Sequence, residues 1–301
     1  MGKQRLFINE FILKIVALVT MTASHIGYML VSQGYFADGT AGYQAGVVLQ
    51  YIGRLAFPLF AFMLAEGLRK TKNRDNYLLR LALMCGSIVL VQLIFFLIDR
   101  SKASGMEGNA FLDLLLGAST VYFLEKSKKP LRFLALLPFS YLILCYSMDL
   151  SEIYALANNQ ISVWSINYPL FLRPSYSLFG YLMILLFYYA KPVTEGLIRQ
   201  MAKDEEIYQQ VATEGRVQGF SNSFCAVILV LLNLVFWALA RAGLPDPYLM
   251  GVESYSALAA LLILFYNGKR GYDRKWWRIF NYAYYPAHLV LIWAVFALCS
   301  L

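Results

Sequence analysis

Residues 14–30 read KIVALVTMTASHIGYML, an apolar stretch with a lysine at its start and a histidine near its end. The surrounding run extends from about Phe7 to Val31, enough to cross a bilayer, whose hydrocarbon core takes about 20 helical residues. It is longer than the core of a secretory signal and no small-residue cleavage site follows, so it is expected to remain as a span. Similar runs recur near 44–68, 78–99, 109–124, 131–148, 175–190, 220–241, 248–267 and 279–299, the fourth and sixth of the set being short. Only 15% of the 301 residues are charged, against about 25% in soluble domains, and mean hydropathy is +0.55. The expected fold is all-α: one polytopic membrane bundle over residues 1–301 with nine or ten spans.

Lysine and arginine set the orientation, because positive flanks resist translocation. With the N-terminus in the cytoplasm, Lys3, Arg5 and the 69–80, 126–132, 191–219 and 269–278 segments lie inside and hold most of the 26 basic residues. The opposite loops hold only Arg100, Lys102, Arg173 and Arg241, while Lys14 and Arg54 fall within spans. The net charge of +8 is therefore an insertion signal, and nucleic acid is a poor partner for it. Cys85, Cys145, Cys225 and Cys299 stand singly in apolar runs with no histidine at ligand spacing, so neither a disulfide framework nor a metal site is expected.

Of the ionisable residues inside apolar runs, five matter most: Lys14, His25, Arg54, Asp113 and His288. Such a group costs about 2.5–3.5 kcal/mol on insertion scales, so it faces protein or a wet cavity and is a functional candidate. Lys14 and His25 are eleven residues apart, which returns a helix to within roughly 20° of the same face, about 16 Å further along. The plain structural alternatives are a Lys14–Glu10 pair one turn apart and an Arg54–Asp113 ion pair. Arg54 keeps its charge and must find an acceptor. Pro58, four residues later, cannot donate to the Arg54 carbonyl, so a kink is expected beside the charge. Glu66 is expected at the cytoplasmic interface. His288 follows Pro286 near the middle of the last span, and two mid-span imidazoles fit general-base chemistry near neutral pH.

The stretches LKIVALVTMTASHIGYML, YIGRLAFPLFAFMLAEGLRKTKNRDNYLLRL, LLILFYNGKRG and YAYYPAHLVLIWAV resemble the TraX family of integral membrane proteins. The resemblance implies a bacterial cytoplasmic (inner) membrane protein tied to N-terminal acetylation of pilin, similar to acyltransferase-3 and heparan-acetyltransferase-like enzymes. It implies acetyl-CoA as acyl donor, supplied from the cytoplasm. By the same resemblance Lys14 is the basic residue of the first span, His25 the catalytic histidine, Arg54 the arginine of the GR-x-x-FP stretch and His288 the histidine of YP-x-H. One departure stands out: Ser24 occupies the position before the histidine where an aspartate is expected, which leaves Asp113 to orient a ring.

Acyl transfer from a thioester needs a base, a positive environment for the oxyanion and a grip on the CoA phosphates. The expectation is His25 as base or transiently acylated nucleophile, Arg54 at the developing charge, and His288 positioning the acceptor or completing the oxyanion site. Lys14, Arg69, Lys70, Arg74, Lys269 and Arg270 would meet acyl-CoA. The acceptor, an amine or hydroxyl on a pilin N-terminus, sugar, lipid or small molecule, is left open. Two rival readings are a proton-coupled transporter, which moves substrate without CoA, and a non-catalytic pilus or envelope assembly factor, indifferent to loss of His25.

Overall fold

The computed structural model describes residues 6–32, 36–98, 108–126, 128–160, 164–202 and 204–299. Lys3, Arg5, Arg100, Lys102 and Lys203, used above to orient the chain, lie outside the described residues. Helix α1 (Glu10–Ser32) is followed by α2 (Ala41–Gly53), α3 (Ala56–Lys70), α4 (Arg74–Ile98) and α5 (Ala110–Leu124). A short turn, α6 (Lys129–Arg132), leads to α7 (Leu136–Ala157), and α8 (Trp164–Asn167) precedes α9 (Ser177–Met201). Then come α10 (Glu205–Val211), α11 (Glu214–Arg241), α12 (Met250–Glu253), α13 (Ala259–Leu264) and α14 (Lys275–Cys299).

Among the described residues seven helical stretches are long and apolar enough to cross a membrane, α2 and α3 together forming one of them over Ala41–Lys70, which corrects the expected nine or ten. The difference lies in two of the runs. Those near 109–124 and 248–267 form the helices Ala110–Leu124 and Met250–Leu264. Fifteen helical residues rise only about 22 Å, short of a hydrocarbon core of about 30 Å. The all-α, multi-pass character stands. Leu79, Leu83, Leu90 and Leu97 on α4, and Val227, Leu231 and Leu234 on α11, are exposed, a surface suited to lipid.

Local chemistry explains the helix boundaries that matter for the site. The Arg54 carbonyl lacks an i+4 donor because that position is Pro58, and the chain breaks at Arg54–Leu55 between α2 and α3. Asn109 starts α5 by accepting from the backbone N–H groups of Phe111 and Leu112 at 3.0 and 3.3 Å. At α1 the orphan N–H groups of the first turn are met by another segment. Glu10 donates to the Lys269 carbonyl at 2.9 Å and Phe11 to Arg270 at 3.1 Å, beside an isolated parallel bridge between Ile8 and Tyr266. This strap sets α1 in register with the start of α14.

Helix α3 is the buried centre. Its Leu59, Phe62, Ala65 and Leu68 pack with Phe179, Met183 and Phe187 of α9, Leu229 of α11 and Ile263 of α13. Helices α1 and α2 approach closely through small residues. A Cβ on Gly27 would lie 2.5 Å from the Gly46 carbonyl oxygen, and one on Gly53 would lie 2.2 Å from the Ser24 Cβ. Since Ser24 precedes His25 and Gly53 precedes Arg54, this contact brings the two candidate residues to one level of the bundle.

Candidate active site

A cavity of about 690 Å³ lies among the second half of α1, the α2–α3 break, α4, the start of α5, the loops before α9 and α12, and α14. His25 and Arg54 line it, with Ser24, Gln50, Gln92 and Glu253 adding polarity and Phe95, Trp293 and Leu289 supplying apolar wall. Its size and mixed lining are those of a small-molecule site.

His25 and His288, 263 residues apart, meet at its wall, where His288 is buried beside His25 and does not itself line the cavity. His25 Nδ1 lies 2.8 Å from His288 Nε2, and His288 Nδ1 lies 3.0 Å from the Tyr284 carbonyl oxygen. A carbonyl only accepts, so His288 carries its proton on Nδ1 and presents a lone pair at Nε2. His25 then donates from Nδ1, which places its own lone pair on Nε2, the nitrogen a general base uses. Aromatic rings hold the pair. Tyr284 stacks on His288 with centroids 5.2 Å apart and planes at 6°, and its hydroxyl is 2.7 Å from the Thr22 hydroxyl on α1. Tyr285 stands edge-on to both imidazoles and packs on Phe111.

Arg54 has an acceptor, and it is not Asp113. Its Nη1 lies 3.3 Å from Glu253 Oε2, so the expected Arg54–Asp113 pair is corrected. The Glu253 side chain is 2% exposed and that of Arg54 is 23% exposed, so both line the cavity and the cation is the more open of the two. Asp113 is fully buried and accepts from the Tyr176 backbone N–H at 3.0 Å, bracing the start of α9. It therefore orients a backbone segment, and the ring partner of His25 is His288. Glu253 was missed although the signal was there: it is an acidic residue within the apolar run 248–267.

The residues expected to grip acyl-CoA cluster at the other end of the bundle, and none of them lines the cavity. Lys14 pairs with Glu10 at 2.7 Å, the plain alternative named above. Glu66, expected at the interface, is buried and ion-paired with both Arg69 and Lys70. Pro192 leaves the Tyr188 carbonyl without a helical donor, and Arg69 Nη1 fills the vacancy at 2.6 Å while also reaching the Phe187 carbonyl at 2.8 Å. Lys70 donates to the Gly268 carbonyl at 2.9 Å. Lys269 contributes its backbone to the strap, and Arg270 pairs with Asp273 at 3.1 Å. Arg74 lines a separate polar cleft of about 410 Å³ with Lys72, Lys126, Asp75 and Glu125. Outside the spans, burial raises the Asp273 carboxyl, but hydrogen bonds and charge from Arg278 and Arg270 outweigh it and hold the group below its usual range.

The fold and the cavity define a multi-pass helical membrane protein with a paired-histidine polar site inside its bundle. A family model described as TraX protein matches residues 10–202, and the chain belongs to the TraX family. It is also 34% identical over 73 residues to a protein from Dichelobacter nodosus described as probable fimbrial assembly protein FimC, serogroup H1. That match covers 24% of this chain and 27% of the relative, so the chain spans about a quarter of the curated relative it matches. No solved structure matches.

Proposed function

We propose that the protein is a membrane acyltransferase that moves an acetyl or other acyl group from acyl-CoA to an amine or hydroxyl acceptor in the cavity. The observation that carries the reading is the 2.8 Å contact between His25 and His288, which fixes a lone pair on His25 Nε2 at a cavity wall also holding Arg54. His25 Nε2 takes the proton as the acceptor attacks the thioester carbonyl. Arg54 balances the oxyanion, the C–S bond breaks, and the proton passes from Nε2 to the departing thiolate. His288 accepts the Nδ1 proton of His25 in a hydrogen bond throughout, stabilising the imidazolium as it forms.

Membership in a family tied to pilin acetylation supports the acyl chemistry and makes a pilin N-terminus a candidate acceptor. Basic residues such as Arg69, Lys70, Lys269 and Arg270 gather at one end of the bundle, which supports a reading in which that end faces the cytoplasm, the donor approaches from it and the acceptor occupies the cavity beyond. The named function of the fimbrial relative favours a second reading, a non-catalytic assembly factor.

The test is acetyl-CoA turnover by the purified protein in lipid nanodiscs, with calorimetric binding of acetyl-CoA measured alongside. The acyltransferase reading predicts turnover by the wild type, with His25→Ala at least about 100-fold slower while acetyl-CoA binding persists. A folded wild type that neither binds nor turns over acetyl-CoA sinks it. Piliation that survives His25→Ala in cells supports the assembly reading.

A further inference from the structure

We infer that Glu253 is a positioning residue that holds the Arg54 guanidinium at the oxyanion position, an inference that rests on the acyl-transfer reading above. Three observations converge on it. Glu253 Oε2 is 3.3 Å from Arg54 Nη1, and the carboxylate is 2% exposed while the guanidinium is 23% exposed. A cation so placed lines the cavity with its counter-charge fixed beside it in the protein.

The second observation is the way each partner is anchored. Arg54 stands at the α2–α3 junction four residues before Pro58, with its backbone still right-handed helical. Glu253 ends α12, whose start is tied down by Asp246: its carboxylate accepts from the Met250 N–H at 2.7 Å and the Tyr248 N–H at 3.3 Å. Just after Glu253, Ser256 donates to Asn233 Oδ1 at 3.0 Å, and Asn233 donates to the Leu229 carbonyl at 2.9 Å, all within the core of α11. The carboxylate thus sits on a braced segment and holds one edge of the guanidinium.

The third observation is where the pair stands. Gly53 and Ser24 approach so closely that a Cβ on Gly53 would lie 2.7 Å from Ser24 Cα, so Arg54 and His25, the next residues along, both line the cavity wall from neighbouring positions. A base and a fixed positive charge at one level are what a tetrahedral intermediate requires, and a displacement of about 1 Å in such a group costs about 100-fold in rate. Removing Glu253 takes the carboxylate anchor away from the guanidinium. Ground-state binding of donor and acceptor, which does not involve an oxyanion, is left in place.

The experiment compares wild type, Glu253→Gln, Glu253→Asp, Arg54→Ala and the double variant Arg54→Ala/Glu253→Gln in nanodiscs, with kcat and KM for acetyl-CoA measured for each. Thermal unfolding is followed in parallel. The inference predicts that Glu253→Gln lowers kcat by about 10-fold or more with KM within twofold, and that Glu253→Asp, which keeps the charge, retains more of the rate. It further predicts that Glu253→Gln changes kcat by less than twofold once Arg54 is already alanine. Equal multiplicative losses in both backgrounds, as a merely structural residue gives, overturn it, as does a Glu253→Gln enzyme with wild-type kcat. A wild type without turnover overturns the acyl-transfer reading itself and the role of Glu253 with it.

Discussion

Replacing Gly53 by alanine adds a Cβ that, with the helices in place, would stand 2.2 Å from Ser24 Cβ, 2.6 Å from its Oγ and 2.7 Å from its Cα. Carbon atoms settle about 3.5–4.0 Å apart, so α1 and α2 must separate there by about 1.3 Å or more, because no rotamer change moves Ser24 Cα or Cβ. Overpacking of this kind costs about 1–3 kcal/mol, and the upper end applies at so short a contact. Alanine recovers about 1 kcal/mol of helix propensity, leaving a net loss of about 2 kcal/mol. Because the neighbouring residues are His25 and Arg54, the same separation shifts the base against the cation and lowers kcat by about 100-fold. The assay pairs thermal unfolding of the detergent-solubilised protein with acetyl-CoA turnover. Gly86→Ala on α4 serves as the control, because a Cβ there meets nothing within 4 Å. A Gly53→Ala protein as stable and active as Gly86→Ala refutes the reasoning.

Two further outcomes follow from contacts away from the cavity. Arg69→Met strips both the Tyr188 carbonyl and Glu66 of a partner, and breaking such a buried pair costs about 3–5 kcal/mol, read as a large fall in unfolding temperature. Adding Pro192→Ala, which returns a helical N–H to that carbonyl, recovers part of the loss; no recovery contradicts the capping role. Asp273 titrates below its ordinary value of 3.8 in the folded chain, so its contribution is complete above that value and is lost as pH falls through the lowered one. Hydrogen exchange of the loop before α14 should therefore quicken in acid, and Asp273→Asn should abolish that dependence; an unchanged acid response in the variant counts against the Arg278 and Arg270 contacts as its cause.

Much of the architecture is legible in the residues because apolar run length and helix crossing are the same physics. The break at Arg54 follows from Pro58 and a missing N–H, and the Lys14–Glu10 pair from one turn of helix. The count of crossing helices does not follow, because hydropathy at 109–124 and 248–267 reports what a segment can be buried in, not how far it rises. Pairing between helices is the other gap. Arg54 demanded an acceptor, and periodicity could not say that it lies 199 positions away at Glu253 while the nearer Asp113 is occupied with the Tyr176 N–H. His25 and His288 were each visible as isolated polar groups in apolar surroundings, but their contact depends on the strap that sets α1 beside α14. The partners of the basic residues at the strap end were legible only in part, because their charges answer to Glu10, Glu66, Asp273 and freed carbonyls as well as to any anion.

The account turns on His25 acting as the base and His288 as its hydrogen-bond partner, and the measurement that tests it most directly is the ratio of acetyl-CoA turnover in His25→Gln to that in His288→Gln. The relay predicts that His25→Gln loses about 100-fold or more, while His288→Gln, whose side-chain carbonyl can still accept from His25 Nδ1, retains the larger share of the rate. Equal rates in the two variants, or a His25→Gln enzyme that turns over like the wild type, contradict it.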